Sequence, residues 1–111
     1  MLDALERADA LLFASPVYWF AVSGPMKNLV DRTYSHVQQK SLAGKRFGVI
    51  LVQHSAGADD ALGLFRCFAD EQRCTMLEPA VINTGDKPGV VAGDAALLQR
   101  LHALGARLAT P

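Results

Sequence analysis

Residues 13–32 read FASPVYWFAVSGPMKNLVDR. The stretch leaves an apolar run, passes Pro16, sets Tyr18, Trp19 and Phe20 side by side, and enters an amphipathic segment. Ala10–Ala14 (ALLFA) is short and continuously apolar, which predicts a strand buried on both faces of a parallel sheet. Ser23 is an N-cap residue by type, and Pro25 falls in the first helical turn, where its missing N–H costs little. Met26, Leu29, Val30, Thr33, Tyr34 and Val37 then repeat at helical spacing. The three aromatic rings therefore sit in a strand-to-helix loop. Rings placed there cover something flat, fill the core, or meet a second subunit.

Outward from this stretch the same alternation continues. Leu2–Ala8 reads as a helix, with Leu2, Leu5 and Ala8 on one stripe. Phe47–Val52 (FGVILV) is the clearest central strand. After the small-residue loop QHSAGADD, Asp59 or Asp60 is placed to cap a helix running to about Arg73 through Leu62, Phe65, Phe68 and Ala69. Thr75–Ile82 forms a third strand, and Pro79, without a ladder donor, puts it at a sheet edge. NTGDKPG is a plain turn; Asp94 then caps a last helix with Leu97, Leu98, Leu101, Leu104 and Leu108 in one stripe. Strands alternating with helices imply right-handed βαβ units.

Composition narrows the function classes. The chain has 111 residues, room for one domain, and 11 basic against 11 acidic residues leave it neutral. No basic surplus points to nucleic acid. Ala10–Val22 is apolar but interrupted by Pro16 and preceded by acidic residues, so neither a membrane span nor an export signal is expected. Cys67 and Cys74, two helical turns apart, are expected as reduced thiols of a cytoplasmic protein. Walker, HExxH, CxxC and GxSxG patterns are absent, and no metal site is expected.

Ser15, Pro16, Tyr18, Trp19, Ser23, Met26, Lys27, Asp31 and Arg32 together resemble the third-strand loop and following helix of the NADPH-dependent FMN reductase and multimeric-flavodoxin families. LAGKRFGVILV and DAALLQRLHALGARLA resemble the fourth-strand entry and closing helix of those families. The resemblance implies a flavodoxin-like three-layer α/β sandwich with a parallel sheet, here one partial domain over residues 1–111 that retains three strands. The families' first two strands and phosphate loop have no counterpart in it.

The resemblance also implies a site. FMN would be edged by Ser15, Pro16, Val17, Tyr18, Trp19 and Phe20, and approached from the next strand by His54, Ser55, Ala56 and Gly57. NAD(P)H would be the hydride source, and a flavin, quinone or similar small molecule the acceptor. The flavin carries such chemistry, so no catalytic residue is expected. His54 reads either as a proton donor near the flavin or as a locally satisfied loop residue. A flavodoxin-type electron carrier and a cofactor-free oligomer are the alternative functions. ALLFA, central in a complete sheet, would here be an edge strand, and a homodimer or higher oligomer is the simplest cover for it.

Overall fold

The computed structural model describes residues 1–111. In chain order the elements are α1 (Leu2–Arg7), β1 (Ala10–Tyr18), β2 (Ala21–Val22), α2 (Gly24–Thr33), β3 (Arg46–Gln53), α3 (Ala58–Gln72), β4 (Thr75–Met76), β5 (Ala80–Asn83) and α4 (Ala95–Ala109). β3 is the centre of the sheet. It pairs in parallel with β1 from Ala10↔Arg46 to Pro16↔Val52, and on its other side with β4 and β5. The order β1–β3–(β4, β5) is that of an open flavodoxin-like sheet with helices on both faces.

One face carries the main core. Leu11, Phe13, Phe47, Val49 and Leu51 meet Ala58, Ala61, Leu62, Phe65, Phe68 and Ala69 of α3, with Met26, Leu29 and Val30 of α2 packed against them. Four phenylalanines knit this layer. Phe13 meets Phe47 edge-on at 5.2 Å between ring centres, and Phe47 meets Phe68 at 5.2 Å. Pairs of this kind contribute about 0.5–1.5 kcal/mol beyond their buried area. On the other face α4 sets Leu104 and Leu108 against Leu77 and Ala80, with Ala10 and Ile50 alongside. Gly48 permits that approach, since a Cβ there would lie 2.9 Å from Leu108 Cδ1. Arg46 Nε donates to Leu108 O at 2.7 Å, and Lys45 Nζ donates to Glu6 O and Ala8 O. Both cations sit at helix carboxyl ends, where the backbone dipole favours them.

The structure departs from the sequence expectations in five places. β1 does not stop at Ala14: it continues through Pro16 to Tyr18 and turns back as β2, paired Val17↔Val22 and Tyr18↔Ala21. The aromatic loop is therefore a hairpin tip. β1 is also buried on one face only; Leu11, Phe13 and Ser15 point into the core, while on the other face α4 packs near Ala10 and leaves Leu12 and Ala14 exposed. α2 ends at Thr33, whose Oγ1 donates to Val30 O, and the chain tightens into a 3-10 segment over Tyr34–Gln39. The third strand breaks into β4 and β5 around Pro79, both on the same edge of β3. The cap of α3 is Gly57, not Asp59 or Asp60, and Gln53 Oε1 accepts from Ala58 N at 2.8 Å.

Both cysteines are free thiols. Cys67 lies on α3, but Cys74 lies beyond its end, where Arg73 in a left-handed conformation has already turned the chain. Burial pushes the Cys74 thiol above its ordinary value, against the pull of Lys45.

Gln72 is buried, and its Oε1 has no hydrogen-bond partner. An unpaired buried acceptor costs about 1–3 kcal/mol. Gln72→Met keeps the volume and removes that cost. Its urea midpoint should rise by the equivalent of about 1 kcal/mol, and a fall would show that the amide is needed.

Candidate functional site

Parallel pairing of β1 with β3 brings the carboxyl ends of both strands to one edge of the sheet. There the hairpin 16–20 and the loop 54–57 touch. A Cβ on Gly57 would stand 3.0 Å from Val17 Cγ1, 3.1 Å from Phe20 Cα and 3.1 Å from Phe20 Cδ1. Gly57 also has φ +102°, a conformation side chains resist. Glycine thus serves twice here, for the turn into α3 and for backbone-close packing of the two segments.

The hairpin tip is strained. Trp19 has φ +51° and Phe20 has φ +63°, the two positive angles of a type I′ two-residue turn. That turn favours Asn-Gly, and each bulky residue in it costs about 1–2 kcal/mol. The rings recover little of this by burial: Tyr18 is 65%, Trp19 93% and Phe20 56% exposed. Strain without local compensation marks a position held for its surface. The alternative of aromatic core is set aside by the exposure.

Of the predicted contact residues, Ser15 is a scaffold. Its buried Oγ accepts from Ser23 N at 2.9 Å and donates to Pro16 O at 2.8 Å, tying the hairpin base to the start of α2. Pro16 and Val17 are half-buried; Tyr18, Trp19 and Phe20 form the outer lip. Across from them His54, Ser55 and Ala56 are exposed and Gly57 half-buried. The amides of Trp19, Phe20, Ser55, Ala56 and Gly57 donate no hydrogen bond within the chain. Exposed aromatic faces beside unpaired N–H donors suit a flat ring system with carbonyl acceptors at its edge. No group of three or more His, Cys, Asp and Glu gathers to hold a metal.

A third loop joins this edge. Gln53 Nε2 donates to Asn83 Oδ1 at 2.6 Å, Gly85 N donates to His54 O at 3.0 Å, and His54 Nε2 lies 2.6 Å from Asp86 Oδ1. Sequence reading took NTGDKPG as a bare turn and missed Asp86, Asn83 and the capping role of Gln53. Their meeting follows from the register of the parallel pair β3 and β5, in which Gln53 aligns with Asn83; no spacing within the sequence signals it. Lys27 finds its partner in Asp31 one turn along α2, at 2.5 Å, an exposed pair of small energetic weight.

A cleft of about 570 Å³ lies elsewhere, between α2, the 3-10 segment and α3, lined by Lys27, Tyr34, Cys67, Phe68 and Gln72 among others. It includes none of the strand-end loops. In open parallel sheets the chemistry sits outside the strands' carboxyl ends, so the loop edge, not this cleft, is the candidate site.

An open parallel sheet between helical layers, with three loops joined at its carboxyl edge, defines a flavodoxin-like α/β protein. The chain belongs to the NADPH-dependent FMN reductase family, whose profile matches residues 1–88. An iron-sulfur flavoprotein of Archaeoglobus fulgidus is 38% identical over 53 residues, 48% of this chain but only 24% of that protein. A WrbA-like flavodoxin from Agrobacterium tumefaciens superposes with TM-score 0.79 at 19% identity, over 96% of this chain and 68% of that one. An NADPH-quinone reductase from P. pentosaceus superposes with TM-score 0.71 at 19% identity, over 97% and 71%. At that identity the structural matches establish the fold.

Trp19 buries almost nothing, so Trp19→Asn should relieve turn strain without opening a cavity. Stability should rise by about 1 kcal/mol, read as an increase of a few degrees in thermal midpoint. An unchanged or lower midpoint would mean that the indole is held by contacts in solution.

Proposed function

We propose that this protein is a flavin-dependent oxidoreductase that uses FMN to move hydride from NAD(P)H to a flavin or quinone acceptor. The observation that carries this reading is the strained, exposed aromatic tip facing a glycine-hinged loop with free amides, on a chain of this family. Tyr18 and Trp19 would wall the isoalloxazine face. Amides of the 54–57 loop would meet its carbonyl edge, with Ser55 Oγ beside them. Val17 and Phe20, packed on Gly57, would hold the two lips together beside the ring. When bound, FMN supplies hydride acceptance at N5 and hydride delivery; the protein supplies position, exclusion of water and hydrogen bonds. The acceptor and nicotinamide need the same open face, so they would use it in turn.

The chain's β1 edge supports a homodimer. β2 covers only Val17 and Tyr18, leaving Ala10–Pro16 unpaired on the side away from β3. No charged residue interrupts this edge between Ala10 and Phe20. Edges without charge, bulge or cover pair readily with another strand. Two copies joined at β1 across a two-fold axis satisfy both edges. No helix is long and apolar enough to cross a membrane.

Titrating protein into FMN should quench flavin fluorescence and shift its visible band, and Trp19→Asn should weaken binding while leaving the fold intact. NADPH oxidation with a quinone should then depend on added FMN. Unchanged fluorescence at high micromolar protein would overturn the flavin reading. Sedimentation velocity should find a dimer at micromolar concentration; a stable monomer would overturn the strand-pairing proposal.

A further inference from the structure

The His54–Asp86 pair ties the 54–57 lip to a loop that carries no ring-binding residue. It joins residues 32 apart, from the loops after β3 and β5. His54 Nε2 lies 2.6 Å from Asp86 Oδ1, while His54 Nδ1 lies 3.2 Å from Ser55 Oγ, on the lip itself. As a stabilising ion pair this contact is worth little: the two side chains are 60% and 93% exposed. Its geometric effect is larger. A carboxylate on one ring nitrogen fixes the imidazole's tautomer and turns the other nitrogen toward its task. The loop that carries Asp86 is itself positioned by Gly85 N donating to His54 O and Thr84 N donating to Gln53 O.

We propose that Asp86 is a positioning residue that holds His54 as the proton donor for the acceptor. This rests on the reductase reading. A quinone that has received hydride carries an oxyanion and needs one proton. Doubly protonated His54 gives it: the Nδ1–H bond breaks and an O–H bond forms on the acceptor. The neutral ring keeps its Nε2–H on the Asp86 carboxylate. Solvent, which reaches both exposed side chains, returns the proton to Nδ1. The two electrons come with the hydride, so the acceptor leaves fully reduced and the chain unchanged. Ser55 Oγ lies 3.2 Å from Nδ1, beside the proton that is given up.

The test pairs two acceptors. 1,4-Benzoquinone needs a proton with its electrons; ferricyanide does not. With FMN and NADPH, His54→Gln should lower benzoquinone turnover by about 100-fold or more, and Asp86→Asn by a smaller factor. Asp86→Asn, which alters no residue of the ring-binding loops, should keep the wild-type ferricyanide rate. Equal losses with both acceptors, or no loss with benzoquinone, would overturn the proposal. A second readout needs no cofactor. Long-range ¹H–¹⁵N spectra of the free protein should show neutral His54 as the Nε2–H tautomer, lost in Asp86→Asn. An averaged tautomer in the wild type would overturn the proposal even if the enzyme is active. A fixed tautomer with no reduction of either acceptor would instead overturn the reductase reading, and proton donation with it.

Discussion

Everything at the carboxyl edge depends on seven aligned residue pairs between β1 and β3. Parallel strands point their carboxyl ends the same way, so the loops that follow must emerge together. The pairing is held by what lies beneath it. Phe13 and Phe47 meet edge to face across the ladder, and Phe65 and Phe68 of α3 close over them. A slip of one residue would turn these rings to the opposite face. The same slip would separate Val17 from Gly57. Core packing and site geometry are therefore one constraint.

The site is built from local costs that the core can carry. Two aromatic residues occupy backbone angles that suit Asn-Gly, and their rings stay in solvent. The loop opposite leaves amides without partners. Each of these features is unfavourable for folding alone. The β1 edge away from β3 is likewise unpaired over Ala10–Pro16. Such costs are tolerable because β3, paired on both sides, and the phenylalanine cluster lie remote from solvent.

Much of this was legible along the chain. FGVILV had to be a central strand, since no polar residue interrupts it. Ser23 and Asp94 were readable as caps, and each accepts from the amide three residues on, Met26 N and Leu97 N. The alternation of strands and helices implied βαβ units, and β1 and β3 do pair in parallel, from Ala10↔Arg46 to Pro16↔Val52. Local rules failed where a neighbour overrode them. Pro16 and the ring triplet looked like a loop, but β3 and β2 hold them as strand and hairpin. Asp59 and Asp60 looked like caps, but Gln53 reached Ala58 N first.

The sequence alone determined the alternation of strands and helices, the strands' apolar character, the caps of α2 and α4, and the family, because these depend on residue type and spacing within a few turns. Only the tertiary structure decided that Trp19 and Phe20 stand in left-handed backbone, that Gly57 lies against the hairpin, and that Asp86 meets His54. Those facts depend on distances between residues far apart in the chain. Such distances are set by register and packing, which no single segment contains.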